Sequence, residues 1–160
     1  MLKGLHHAAY RCRDSEQTRQ FYEDFLGLPL VHTLPITQSK TGRSVQVLHT
    51  FFRLEDGSYL AFFEEPEMPF DFKVQRDFDL HIALEVSTNV LEDMLEKGQA
   101  LGIETRGISD HGFIQSIYFR DPNGYVIELT ARKSKDAEHE DIEKAHSLLQ
   151  QWQQSKPRAG

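Results

Sequence analysis

Residues 79–84 read D-L-H-I-A-L, and residues 5–10 read L-H-H-A-A-Y. Laying His81 on His7, 74 residues apart, also lays Ala83 on Ala9. The segments after these two are alike as well. Asp14 to Leu26 carries Phe21 and Phe25 at helical spacing and stops at Gly27. Asn89 to Leu101 does the same through Val90, Met94 and Leu95, and stops at Gly102. Three strands are expected after each helix: roughly 28–37, 44–54 and 58–64, then roughly 103–108, 113–120 and 125–131. The last strand of each half comes after a turn, E-D-G-S-Y-L-A-F in one and D-P-N-G-Y-V-I-E in the other. Aligning Gly57 with Gly124 sets Ala61 opposite Glu128.

The expected fold is therefore α+β. Two βαβββ modules, 1–65 and 78–132, form a paired curved sheet around a cleft, joined by a linker at 66–77 and followed by a segment at 133–160. In that last segment Ile142, Ala145, Leu149 and Trp152 mark one apolar stripe, which predicts a helix packed on the body or on a partner subunit. The terminal K-P-R-A-G is expected to fray.

Composition narrows the function classes. A chain of 160 residues buries roughly 70% of its unfolded surface and needs no covalent staples. The single cysteine, Cys12, excludes an internal disulfide and, with no signal-like start, suggests a reducing cytoplasm. No apolar run approaches the ~20 residues of a membrane span. A formal charge of −7 argues against nucleic acid, which asks for clustered Lys and Arg. The expected partner is a small molecule.

Glu128 stands between Ile127 and Leu129, where a carboxylate is costly unless compensated. His7 and His81 hold the same position in the first strand of each repeat, and Glu128 lies on the last strand of the second. Two histidines and one carboxylate occupy one face of an octahedral metal and leave about three positions open. Taken singly, each histidine reads more plainly as a hydrogen-bonded core residue, and the glutamate as half of an ion pair. The repeat favours a metal, because three ligand-type residues fall at three symmetry-determined places. His6 is expected on the opposite strand face; a register slip of one would make it the inward residue, but the match of Ala9 to Ala83 favours His7. His49, in V-L-H-T-F-F, lies on an inner strand and could line the same cavity, a packed or solvated role being the plainer reading.

The turn after 120 predicts one contact outright. If Pro122-Asn123-Gly124 form a three-residue loop with Gly124 left-handed, Asp121 faces Tyr125, and counting back along the ladder pairs Tyr118 with Glu128. Directly opposed residues share a face, about 5 Å apart. His111 precedes that strand and could lean over the same pocket. Its plainer role is a loop histidine bonded to Asp110 or solvent, and that of Tyr118 an aromatic packed on the sheet.

L-H-H-A-A-Y followed by F-Y-E-D-F-L-G-L, then L-H-I-A-L, then F-R-D-P-N-G-Y-V-I-E-L, together spanning about residues 3 to 131, resemble the paired modules of the vicinal oxygen chelate superfamily. That superfamily includes glyoxalase I, extradiol ring-cleaving dioxygenases, fosfomycin-resistance enzymes and bleomycin-resistance proteins. The resemblance implies a metal-dependent enzyme with up to four ligands, one from the first and one from the last strand of each module. The fourth slot here is Ala61, which cannot bind metal, and Glu64 lies three residues on, facing the other way in a regular strand.

Glyoxalase-type isomerases generally have a glutamate where this chain has Ala61. Extradiol dioxygenases use two histidines and one glutamate around Fe(II), which His7, His81 and Glu128 match. They are also similar in a histidine, an aliphatic-Tyr pair, a D-P-x-G turn and a glutamate, here His111, Ile117-Tyr118, Asp121-Pro122-Asn123-Gly124 and Glu128; Ser109 departs from the pattern. The resemblance thus implies cleavage of a catechol-like diol with O2, His111 moving protons and Tyr118 bonding substrate oxygens. The alternatives are a glyoxalase-like lyase or isomerase on Zn, Ni, Co or Mn, and a metal-free binding module of the bleomycin-resistance kind. A homodimer is expected, with the site within one chain or shared between two. Phe51, Phe62, Phe63 and Phe113 hint at an aromatic ligand, though phenylalanines more often fill cores.

Overall fold

The computed structural model describes residues 2–134 and 141–156. The first module runs β1 (His7–Arg11), α1 (Ser15–Arg19, continuing as a π-helical turn through Gln20–Phe25), β2 (Leu30–Gln38), β3 (Ser44–Arg53) and β4 (Tyr59–Glu64). The second runs β5 (His81–Glu85), α2 (Thr88–Ala100), β6 (Thr105–Asp110), β7 (Ile114–Arg120) and β8 (Val126–Arg132). The expected βαβββ order holds in both halves.

Each module folds into one four-stranded sheet, in the order β1-β4-β3-β2 and β5-β8-β7-β6. In each, the first and last strands pair in parallel and the remaining pairs are antiparallel. The repeat survives at the level of single residues: Ala9 pairs with Ala61 as Ala83 pairs with Glu128. The helix start and stop signals also act as expected. The Asp14 carboxylate accepts from Gln17 N at the start of α1, and Gly27 (φ +82°) comes after its end in the left-handed region that glycine tolerates.

The modules bury their helix-side faces against each other in one shared core. Tyr22, Phe52 and Phe62 from the first half and Phe119, Ile117 and Ile127 from the second are all fully or almost fully buried there. Phe25 meets Phe119 edge-to-face with ring centroids 5.0 Å apart, and the hydroxyl of Tyr22 donates to Asp121 Oδ2 at 3.0 Å. Asp121 also accepts from the backbone N–H of Asn123 and Tyr125, while Asn123 Oδ1 accepts from Arg13 N at 2.8 Å. The D-P-N-G turn is thus both a hairpin and the joint between modules. Gly124 has a φ of +98°, and a Cβ there would meet Lys73 O at 2.3 Å, so glycine is doubly required.

Because strands alternate faces, sheet positions next to core residues point the other way. Ile82 is buried in the core while His81 and Ala83 are exposed, and Ala8 packs on the core while His7 is exposed. The faces carrying His7 and His81 are therefore the ones turned away from the shared core.

The C-terminal segment forms the expected helix, without the packing on the body that was one of its two expected placements. α3 (Ile142–Ser155) forms, capped by the Asp141 carboxylate on Lys144 N, but it buries no residue. Ile142, Leu149 and Trp152 are exposed, so the apolar stripe is not packed on the described body of the chain. Of the expected fraying end, residues 157–160 lie outside the described residues.

Candidate metal and substrate site

On β8, Glu128 is buried, and the hairpin places Tyr118 directly opposite it, as the turn geometry requires. Asp121 N donates to Tyr125 O at 3.0 Å and Gly124 N to Asp121 O at 3.1 Å, which closes the three-residue loop. The phenol donates to Glu128 Oε1 at 3.4 Å, and its oxygen lies 2.9 Å from His111 Nε2. His111 is held by its own backbone N–H on Ile114 O, and its neighbour Asp110 is occupied by Gly112 N and Lys133 Nζ. The histidine is therefore bonded to the phenol rather than to Asp110. Desolvation, and then the negative charge of Glu128, push the Tyr118 phenol above its ordinary value, so it stays a proton donor at neutral pH.

His81 completes the group. Its Nδ1 lies 2.7 Å from the main-chain oxygen of Asp77, and a carbonyl only accepts, so Nδ1 carries the proton. In the neutral ring Nε2 then presents a lone pair, and it stands 3.4 Å from Glu128 Oε2. Two ligand atoms bound about 2.1 Å from one cation at 90–110° lie roughly 3.0–3.4 Å apart. A main-chain carbonyl on the distal imidazole nitrogen is the usual support of a metal-ligating histidine. These two donors fit two adjacent positions on a divalent metal.

His7 is not part of this group within the chain. It sits on the outward face of the first sheet, with its Nδ1 2.8 Å from His6 Nδ1 and its ring near Phe51 and His49. Among the described residues no three His, Cys, Asp or Glu side chains converge as a metal site. The structure brings together His81, Glu128, Tyr118 and His111, and leaves His7 apart.

Of the remaining expectations, that for His6 needs correction, while Glu64 faces away from Ala61 as expected. His6 precedes β1, so strand alternation does not apply to it; its ring lies 5.6 Å from that of Tyr59, the β4 residue paired with His7. Glu64 pairs with Leu48 in an unbroken ladder, and its carboxylate accepts from Ser15 N at the start of α1, away from Ala61's side. Phe62 is fully buried core, whereas Phe51 and Phe63 flank His49.

Two residues escaped the sequence reading. Asp77, in the linker, supports His81 through its main chain, and its carboxylate accepts from Arg106 Nη2. Arg106 pairs with Tyr118 across the β6–β7 ladder and lays its guanidinium 5.1 Å from the phenol ring centre. Ladder counting does not reach Arg106, because the register shifts between Arg106 and Ser109.

The family model of the Glyoxalase/Bleomycin resistance protein/Dioxygenase superfamily matches residues 4–129. No curated protein sequence matches the chain. Among solved structures, a glyoxalase/dioxygenase from Nostoc punctiforme is 25% identical, covering 82% of this chain and 92% of that one with a TM-score of 0.64. The fosfomycin resistance protein FosX from Listeria monocytogenes, complexed with Mn(II) and sulfate, is 23% identical over 86% of this chain and 98% of that one, with a TM-score of 0.63. A glyoxylase/bleomycin resistance protein/dioxygenase domain from Frankia sp. EAN1pec is 17% identical over 84% and 96%, with a TM-score of 0.66. With a family model spanning both modules and the same fold in these structures, the chain belongs to the Glyoxalase/Bleomycin resistance protein/Dioxygenase superfamily.

Proposed function

We propose that this protein is a divalent-metal enzyme acting on a small molecule that chelates the metal, and that its reaction is extradiol-type cleavage of a catechol-like diol with O2. The observation that carries the metal is the lone pair of His81 Nε2 facing Glu128 Oε2 at 3.4 Å, with Nδ1 fixed by Asp77. His81 and Glu128 would hold the ion, and His7 of a second copy would supply the third ligand, in a homodimer. The outward placement of both histidines supports that arrangement, because His7 and His81 are exposed on sheet faces turned away from the shared core. Fe(II) held there would supply Lewis acidity and redox chemistry.

The remaining work falls to side chains. Tyr118 stays protonated and bonds a substrate oxygen beside Glu128. His111, bonded to the phenol at 2.9 Å, moves a proton to or from that oxygen. Ala61 supports this chemistry over an isomerase, since it leaves the first module without a carboxylate at the position equivalent to Glu128.

Anaerobic loading with Fe(II), then addition of catechols and O2, tests the reading. Consumption of about one O2 per diol with a coloured ring-opened product is expected. Oxygen-independent turnover of a thiohemiacetal would replace it with the isomerase. A protein that purifies empty and takes up no metal would overturn both.

A further inference from the structure

His81 opens β5 and Arg106 lies on β6, so the two stand on strands at opposite edges of the second sheet. Backbone ladders join neighbouring strands only, and do not fix the side chains of one edge against those of the other. Here the side chains do so themselves. Arg106 is paired with Tyr118 and Tyr118 with Glu128, while His81 lies two residues before Ala83, the partner of Glu128. Opposed residues, and residues two apart on one strand, share a face, so all of these project from the same side of the sheet.

Their contacts close a ring. Arg106 Nη2 donates to both carboxylate oxygens of Asp77, at 2.7 and 3.0 Å. The main-chain oxygen of Asp77 accepts from His81 Nδ1 at 2.7 Å, and His81 Nε2 faces Glu128 Oε2 at 3.4 Å. Glu128 Oε1 accepts from the Tyr118 phenol at 3.4 Å, and the Tyr118 ring carries the Arg106 guanidinium 5.1 Å from its centre. Asp77 belongs to the turn before β5, which is closed by Asp79 N and Leu80 N on Arg76 O and anchored upstream by Gln75 N on Gly124 O. Downstream of that anchor, Arg106 ties Asp77 itself to β6 from 29 residues away. The direction of the Asp77 carbonyl decides which ring nitrogen of His81 keeps the proton, and so whether Nε2 presents a lone pair beside Glu128.

We propose that Arg106 is a positioning residue: by binding the Asp77 carboxylate and lying on Tyr118, it holds the Asp77 carbonyl on His81 and sets the spacing of His81 and Glu128 before a metal arrives. Two ligands already in place lose less freedom on binding than two loose ones. This role rests on the reading of His81 and Glu128 as metal ligands and adds what keeps them in register.

Titration calorimetry of the full-length protein with Mn(II) reads the first consequence. Arg106→Gln is expected to weaken Mn(II) about tenfold, and Asp77→Ala by a similar factor. The double variant should be no weaker than the single ones, because both remove the same tie. Arg106→Lys keeps a cation on Asp77 and is expected to recover most of the loss. Tm should fall by no more than about 3 °C in each variant, since the pair is partly exposed. Unchanged affinity in Arg106→Gln, losses that multiply in the double variant, a Lys variant as weak as the Gln one, or a weakening that comes only with a larger fall in Tm overturns the proposal.

Nitrogen NMR of the isotope-labelled, metal-free protein reads the second consequence, at a pH about two units above the ordinary histidine value, where the ring is neutral. The His81 signals are assigned by their loss in His81→Gln. They are expected to show the Nδ1–H tautomer in wild type and to shift toward Nε2–H in Arg106→Gln; the same tautomer in both overturns the proposal. If wild-type protein takes up no Mn(II), the metal reading fails, and the tautomer still decides the role of Arg106.

Discussion

Ala61 stands beside Ala9 in the first sheet as Glu128 stands beside Ala83 in the second. The two modules agree in register, yet only one carries the carboxylate. Ala61 is fully buried, so Ala61→Glu forces a carboxylate into a packed position, at a cost of about 2 kcal/mol in the metal-free chain. With metal bound the new side chain gains a partner. Metal affinity is expected to rise about tenfold or more, and oxygen consumption to fall by a similar factor as an open position fills. Calorimetric metal titration and an oxygen electrode read the two effects, and a rise in turnover would favour the isomerase instead.

The joint between modules predicts a second outcome. Tyr22 is fully buried, its ring packs on Phe62 at 4.6 Å, and its hydroxyl donates to the buried Asp121. Burial holds the Asp121 carboxyl above its ordinary value, and the bond from Tyr22 is one of those that oppose the shift. Tyr22→Phe keeps the packing and withdraws that donor, so it is expected to destabilise by about 1–3 kcal/mol at neutral pH. The loss shrinks in acid, where Asp121 is protonated and needs one donor fewer. Urea unfolding at pH 7 and pH 4 measures the difference.

Alkaline pH provides a third. Burial pushes the Cys12 thiol up to about 11 and the Tyr125 phenol up to about 12, and it pushes Tyr22 well above its ordinary range. Unfolded, these groups ionise near 8.5 and 10. Raised values mean that the unfolded chain releases protons first, so stability is full below about pH 8.5 and falls as pH rises toward about 12. Cys12→Ala is expected to move the onset of the decline from about 8.5 to about 10, read as Tm against pH.

Local pattern makes a large part of this molecule legible. The 74-residue repeat carries the module order, and turn chemistry at Pro122-Asn123-Gly124 puts Tyr118 opposite Glu128 from spacing alone. Both rest on near-neighbour geometry, which sequence spacing encodes. The placement of His7 does not. It depends on which faces the modules bury against each other, and that is decided by Phe25 on Phe119 and Tyr22 on Asp121, pairs 94 and 99 residues apart. What covers the stripe of α3 is not legible for a related reason, since an amphipathic pattern says that a face seeks cover but not where.

The separation of His7 from His81 leads to the last prediction. If His7 of one copy completes the site of another, two defective chains can repair each other. His7→Ala lacks the ligand that it should lend, and Glu128→Gln lacks the carboxylate that should receive it. Each variant alone is expected to bind metal at least about a hundredfold more weakly than wild type. In a mixed dimer, the Glu128→Gln chain lends an intact His7 to the intact His81 and Glu128 of its partner, giving one sound site and one doubly damaged site. Random reassortment makes about half of the dimers mixed, so an equimolar mixture should regain about a quarter of the wild-type metal capacity and turnover. Mixing after denaturation and refolding, with each variant refolded alone as the control, provides the measurement. A mixture no better than its parents would remove His7 of a second copy as the third ligand.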